Sequence, residues 1–302
     1  MSKIIVKESA LIDDMMGEMK EKRKRNHFIK ELSRSKTGMT GMIIIAIFLI
    51  FGIFGSLITP FDPNYSDLSK KLLPPMSENH LLGTDQLGRD VLSRIIDGTK
   101  VSLIIGISTV VISGLIGTFI GIIAGYFRGW IDTIIMRIVD VQLSFPFILL
   151  VLVINALIGM GLKNIILSLV IAGWVIYARV IRSEVLALRE KEFILSCVAT
   201  GVPNWEIIVK HILPNLFTPV IVLSSLQVAT FIIAEASVSF IGFGVQPPQA
   251  AWGNMLNEGK DYIFSAWWLI TFPGIAIVIT ALGVNLFGDW LRDRLDPEME
   301  ND

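Results

Sequence analysis

Glu235 stands between Phe-Ile-Ile-Ala and Ala-Ser-Val-Ser-Phe, a lone carboxyl in an otherwise apolar run. A charge in such a run is costly and faces either a bundle interior or a water-filled path. Glu235 therefore either lines a path for a polar solute or belongs to a buried structural pair. Gln142, Asn155 and Gln227 sit in apolar runs too, each suited to the same path or to a hydrogen bond between helices. Asp140 precedes an unbroken apolar run that starts at Leu143, which suits an interfacial role. A second concentration of charge, Asp85, Arg89 and Asp90, lies in DQLGRDVLSRII, and Trp252 lies in a proline-containing stretch, VQPPQAAWGNML. Other chemistry is missing from the pattern. No Gly-x-x-x-x-Gly-Lys-Ser/Thr phosphate loop, Gly-x-Ser-x-Gly or His-Glu-x-x-His is present. The single Cys197 excludes an internal disulfide and a cysteine metal cluster, and His27, His80 and His211 are far apart. No metal site and no catalytic residue is expected.

Those groups sit in a chain of 302 residues that is 53% hydrophobic and 18% charged. Soluble domains carry about 25% charged residues, so the composition points to a membrane protein. A net charge of −1 gives no reason to expect nucleic acid as a partner. The charged first 40 residues lack the apolar stretch and cleavage site of a signal peptide. A bilayer core needs roughly 20 apolar residues per helix. Six runs qualify: Gly41–Thr59, Val101–Phe127, Ile134–Ile158, Ile165–Ile181, Leu216–Gly244 and Ala266–Phe287. Ser113, Gly117, Gly121 and Gly125 put small residues on one face of the second run, where another helix can approach closely. That helix belongs either to the same chain or to a partner.

Lysine and arginine set the orientation. The first 40 residues, the 128–137 turn, the 179–215 loop and the C-terminus carry 19 of the 26, which places them and both termini on the cytoplasmic side. Residues 60–100 and the 159–164 and 245–265 connections then face outward. Leu87, Val91, Leu92, Ile95 and Ile96 share one helical face, which predicts an amphipathic helix lying along the outer membrane surface. Trp252 is suited to anchor its loop at the membrane interface and to cap the outer mouth of a pathway.

The cytoplasmic loop contains GVPNWEIIVKHILPN, residues 201–215. The preceding residues 183–200 read as one helix, with Gly201 where a left-handed cap is wanted. Pro203 suits the first turn of a second helix. There Trp205, Ile208, Val209 and Ile212 follow the spacing of a single apolar face, and Pro214 disfavours helical geometry at Leu213, ending the segment. Two short helices joined by a tight turn are predicted. Their apolar face either docks in a partner's groove or packs on the ends of the chain's own spans.

The order Gly201, then Ile212-Leu213-Pro214, resembles the EAA loop of ABC importer permeases. The resemblance extends over nearly all of residues 40–297. HLLGTDQLGRDVLSRIIDGTKVSL (80–103), DVQLSFPFILL (140–150), AEASVSFIGFGVQPP (234–248), AWGNML (251–256) and GDWLRDRLDP (288–297) are similar, in order, to blocks of the C-type permeases of dipeptide, oligopeptide and nickel importers. Leu195, Ser196 and Cys197 stand where that family has Glu-Ala-Ala, so its acidic contact is missing; Glu192, three residues earlier, lies near the same helix face.

The resemblance implies an all-α polytopic membrane protein of about six spans with the type I ABC importer permease fold. The expected organisation is a basic cytoplasmic segment (1–40), a first span (41–59), an outer segment (60–100), a five-span core (101–290) with an EAA-like loop at 183–215, and a cytoplasmic tail (291–302). It implies a heterodimer with a second permease in the inner membrane of a prokaryote. Two cytoplasmic ATPases that bind ATP and Mg, and an extracytoplasmic solute-binding protein, complete the machine. Leu195, Ser196, Cys197, Gly201, Trp205, Ile208, Ile212 and Pro214 would form the ATPase-docking loop. Asp85, Arg89, Asp90 and Trp252 would form an outer gate or contact the binding protein. The solute is a peptide, or nickel or another small solute. Two other classes stay open on the residues alone: a secondary transporter driven by an ion gradient, with Glu235 titrating, and a membrane scaffold that moves no solute.

Overall fold

The computed structural model describes residues 31–295, and within them the protein is helical, with no strand beyond isolated bridges at Ser77–His80 and Thr84–Asp90. Nine helices are defined here among the described residues: α1 (Lys36–Ile58), α2 (Val91–Phe127), α3 (Gly129–Leu143), α4 (Phe147–Ile158), α5 (Leu162–Arg189), α6 (Glu192–Ala199), α7 (Asn204–Ile241), α8 (Trp252–Gly259) and α9 (Trp268–Leu295). Five of them, α1, α2, α5, α7 and α9, are long and apolar enough to cross a bilayer, and α3 with α4 is apolar enough only as a pair, bent by 91° at its break. The chain therefore has two polar ends. The proximal end holds the start of α1, the α2–α3 turn, residues 189–212 and the end of α9. The distal end holds residues 59–90 and 242–267.

α1 starts where Ser35 accepts a hydrogen bond from the Gly38 amide at 3.1 Å, satisfying one of the free donors of a first turn. It packs along α9: a Cβ on Gly38 would lie 2.6 Å from Trp290, and one on Gly41 2.7 Å from the Gly283 carbonyl. The small-residue stripe of α2 meets α5 of the same chain, since a Cβ on Gly117 would lie 2.4 Å from the Trp174 carbonyl oxygen. Gly121 and Gly125 face Ala178, Ile181, Arg182 and Val185 likewise. The stripe is thus an internal packing face.

Three expectations change here. First, α2 begins at Val91, capped by Asp90, whose carboxylate accepts from the Ser93 amide at 2.8 Å. With 37 residues it is about 55 Å long, and residues 85–96 form no separate surface helix. The buried Asp85, Arg89 and Asp90 fold residues 85–90 into a turn, and Val91, Ile95 and Ile96 are buried on the chain itself, while Leu87 stays exposed. Second, the run Ile134–Ile158 is two helices whose axes meet at 91°. The break falls at Ser144-Phe145-Pro146, because a residue before proline is disfavoured in helical geometry. Third, α7 passes straight through Pro214 and Pro219. A π-turn at Ile208–Ile212 stands just before Pro214. The wider turn gives room for a residue that lacks an N–H and crowds the preceding carbonyl.

Candidate functional site

The proximal elbow is built by α6, the turn at residues 200–203 and the first turns of α7. Gly201 has φ +75°, a left-handed conformation open to glycine at little cost. The Gly201 amide donates to the Val198 carbonyl and the Val202 amide to the Cys197 carbonyl, both at 3.1 Å. This pair of bonds is a Schellman cap. Pro203 sits one residue before α7, and its carbonyl accepts from the Glu206 amide at 2.9 Å. The helix expected over 183–200 is divided: α5 ends at Arg189 and α6 starts at Glu192.

The apolar face read from the sequence splits in two. Ile212 is buried and Ile208 partly so, whereas Trp205 is 64% exposed and Val209 52% exposed. The buried partners are Ile194, Ile207 and Leu216, which pack with Ile122, Tyr126, Ile181 and Val185. The π-turn is the reason. It places Ile207 and Ile212, five residues apart, on the same inward face, a relation that a 3.6-residue period does not reveal. What remains outside is an apolar ledge of Phe193, Leu195 (53% exposed), Val198, Trp205 and Val209. Ser196 is exposed beside it, Cys197 is half-buried, and Glu192 is exposed at the first turn of α6.

Side chains that sequence reasoning passed over hold the elbow to the bundle. The Tyr126 hydroxyl donates to Asn204 Oδ1 at 2.8 Å, and Arg189 Nη1 donates to the Tyr126 carbonyl at 2.6 Å. The Arg189 guanidinium lies 5.2 Å from the Tyr126 ring centre, within cation–π range. Arg182 Nη2 donates to Asp132 Oδ2 at 2.6 Å, tying α5 to α3. The one legible signal was arginine after an apolar run, which equally fits snorkelling.

The distal end is organised differently. Arg89 Nε donates to Asp85 Oδ2 and Arg89 Nη2 to Glu258 Oε2, both at 2.6 Å. Arg94 Nη2 donates to the same Glu258 oxygen at 3.1 Å. Asp85 Oδ1 accepts the amides of Leu87 and Arg89. Asp90 Oδ1 is 2.8 Å from His80 Nδ1. Asp85, Arg89, Asp90 and Arg94 are all buried, so they form an internal clamp and present no free contact surface. Trp252 is fully buried, against Phe48, and donates from Nε1 to the Ile95 carbonyl at 3.0 Å. It is a core residue of the distal cap, not an interface anchor.

Of the four pathway candidates, Gln142 alone reaches the surface; its Nε2 donates to the Ile171 and Ala172 carbonyls. Asn155, Gln227 and Glu235 are buried within the chain. Asn155 Nδ2 donates to the Val151 carbonyl at 3.1 Å. Glu235 Oε1 accepts from Ser239 Oγ at 2.6 Å, and Ser102 lies beside the carboxyl. No cation reaches it among the described residues. Ser239 Oγ also accepts from the Val245 amide at 3.3 Å, so the group ties α7 to the loop after it. Among the described residues, no group of three His, Cys, Asp or Glu side chains is placed to hold a metal.

Spans joined by a clamped distal cap and a capped elbow with an apolar ledge define a multi-pass membrane protein built to work against other proteins. Residues 117–301 match the family of binding-protein-dependent transport system inner membrane components, and residues 26–75 match the N-terminal TM domain of oligopeptide transport permease C. The chain belongs to that family of inner membrane components. It is 43% identical to the dipeptide transport system permease protein DppC of Alkalihalophilus pseudofirmus, over 77% of this chain and 76% of that protein. Identity is 41% to the probable D,D-dipeptide transport system permease protein DdpC of Escherichia coli (78% and 79% covered). It is 42% to the glutathione transport system permease protein GsiD of Pectobacterium atrosepticum (81% of each). A chain of the inward-facing MetNI methionine ABC transporter superposes with a TM-score of 0.57 at 17% identity, covering 68% of this chain and 97% of that one. The fold is shared.

Proposed function

We propose that this protein is one of the two permeases of an ATP-driven importer for short peptides. The other components would be a second, homologous permease, two ATPases that bind ATP and Mg, and an extracytoplasmic binding protein. In this reading the proximal end and both termini are cytoplasmic, the membrane is the inner membrane of a prokaryote, and the chain itself catalyses no reaction. Relatives named for dipeptide, D,D-dipeptide and glutathione transport support the peptide as solute.

The observation that carries the reading is the apolar ledge on the elbow. Trp205 and Val209 point outward from the first turns of a helix that runs unbroken to Ile241. An ATPase seated there pushes directly on a full span, and tryptophan is a frequent interface anchor. Leu195 and Ser196 contribute to the same surface, Cys197 packs half-buried behind it, and Glu192, exposed at its edge, supplies an acid one turn from the family's position. Closure of the ATPases moves the elbow, and the spans rock between inward and outward openings.

The test is co-purification of the full transporter with Trp205→Glu and Val209→Glu together. Both residues face outward, so the permease pair still assembles. The expected result is loss of the ATPases from the complex and of ATP-dependent dipeptide uptake. Retention of both would sink the docking surface.

A further inference from the structure

The break between α3 and α4 lies near the middle of the membrane. Gln142 Nε2 donates to the carbonyls of Ile171 (2.8 Å) and Ala172 (3.1 Å) on α5. Those residues lie about 14 Å along α5 from its distal start, at ~1.5 Å per residue. A hydrocarbon core is about 30 Å thick, so the elbow is close to its centre. The first N–H groups of α4 have no acceptor inside their own helix, and Pro146 at the cap position brings no side-chain partner. Irregular backbone at this depth is tolerated only where protein buries it or where it lines a water-filled cavity.

This chain does not bury it. Ser144, Phe145 and Pro146 are exposed, Phe145 at 57%. The elbow bounds a concavity of about 360 Å³ lined by Arg137, Ile138, Val141, Gln142, Phe145 and Leu150. Arg137 is exposed on that wall, and Asp140 pairs with Arg179 nearby with both side chains about half exposed. Lipid is excluded by the backbone, and the exposed Arg137 on the same wall favours water over a dry protein contact.

We propose that the α3–α4 elbow, residues 142–147, lines the aqueous translocation pathway near the membrane centre, with Phe145 the side chain that a passing solute touches. The solute contact rests on the importer reading above; the aqueous elbow does not. The experiment uses the complete transporter in lipid nanodiscs, with Ser144→Cys, Phe145→Cys and, as an apolar outward-facing control at similar depth, Val278→Cys (64% exposed). A charged, membrane-impermeant methanethiosulfonate is added, and peptide mapping of this chain separates each new site from Cys197. The reacting thiolate forms where water reaches it.

Cysteines at 144 and 145 are expected to react at least about tenfold faster than the control, a difference of one pKa unit or more in thiolate population. Saturating dialanine should slow labelling at 145. Rates no faster than the control overturn the aqueous elbow. Fast labelling that dialanine leaves unchanged keeps the aqueous elbow and overturns the Phe145 contact. Failure of the unsubstituted complex to take up dialanine overturns the peptide reading, leaving the accessibility result independent.

Discussion

The two ends of the bundle both interrupt apolar spans with polar segments, yet they place their charged side chains differently. At the distal end, Asp85, Arg89, Arg94 and Glu258 turn inward and pair with one another, and Trp252 disappears into the core. At the proximal elbow, Trp205, Val209 and Leu195 turn outward, while the charged Arg189 holds the elbow from behind. The distal end settles its charge within one chain, while Tyr65, Met76 and Phe264 stay exposed on it. At the proximal elbow the exposed apolar ledge is the surface to which the proposed function assigns a second protein. The lesson is that a charged cluster in the sequence marked an internal clamp, and a tryptophan beside a turn marked an exposed surface.

Substitutions sharpen or break this contrast. The largest stability loss is expected for Glu258→Ala, which leaves the buried Arg89 and Arg94 guanidinium groups short of a partner. Removing one member of a buried ionic group costs about 3 kcal/mol or more, to be read as a lowered thermal midpoint of the purified transporter. An unchanged midpoint would mean that the distal clamp stabilises nothing.

Next is Gly117→Ala in the trunk that joins the two ends. Its Cβ would meet the Trp174 carbonyl at 2.4 Å, and overpacking of this kind costs roughly 1–3 kcal/mol. A crosslink between cysteines on α2 and α5 should lose efficiency in the same variant. Gly201→Ala should cost about 1–2 kcal/mol locally, the strain of a left-handed non-glycine residue, and the signal expected is faster amide exchange at residues 196–203. Because nothing lies within 4 Å of that Cβ, a large global loss would contradict the present account of the turn.

Smallest is Trp205→Ala, for which stability should stay within about 0.5 kcal/mol, as for an exposed site. Weakened ATPase association is expected at that unchanged stability. A midpoint drop as large as that of Glu258→Ala would erase the distinction between the two ends.

Much of this was legible beforehand. Six apolar runs, the left-handed Gly201 and the small-residue face of α2 all follow from local preference or from spacing along a regular helix. Other features were not. A proline was read as a stop at 214, but the π-turn lets α7 pass through it. The same π-turn shifted the inward face to Ile207, Ile212 and Leu216 and freed Trp205. Asp85, Arg89 and Asp90 looked like a surface cluster because Glu258, which accepts from Arg89, is 169 residues away in the chain. The break between α3 and α4 was hidden because Ser-Phe-Pro is apolar enough to continue a hydropathy run.

By itself, then, the sequence determined that this is a helical membrane protein, roughly where its spans lie, and where one loop must turn, since hydropathy, glycine geometry and proline sterics act within a few residues. Which side chains are hidden, which stay exposed, and where a span breaks were decided only by the tertiary structure. Burial, ionic pairing and helix phase depend on residues brought together from distant parts of the chain.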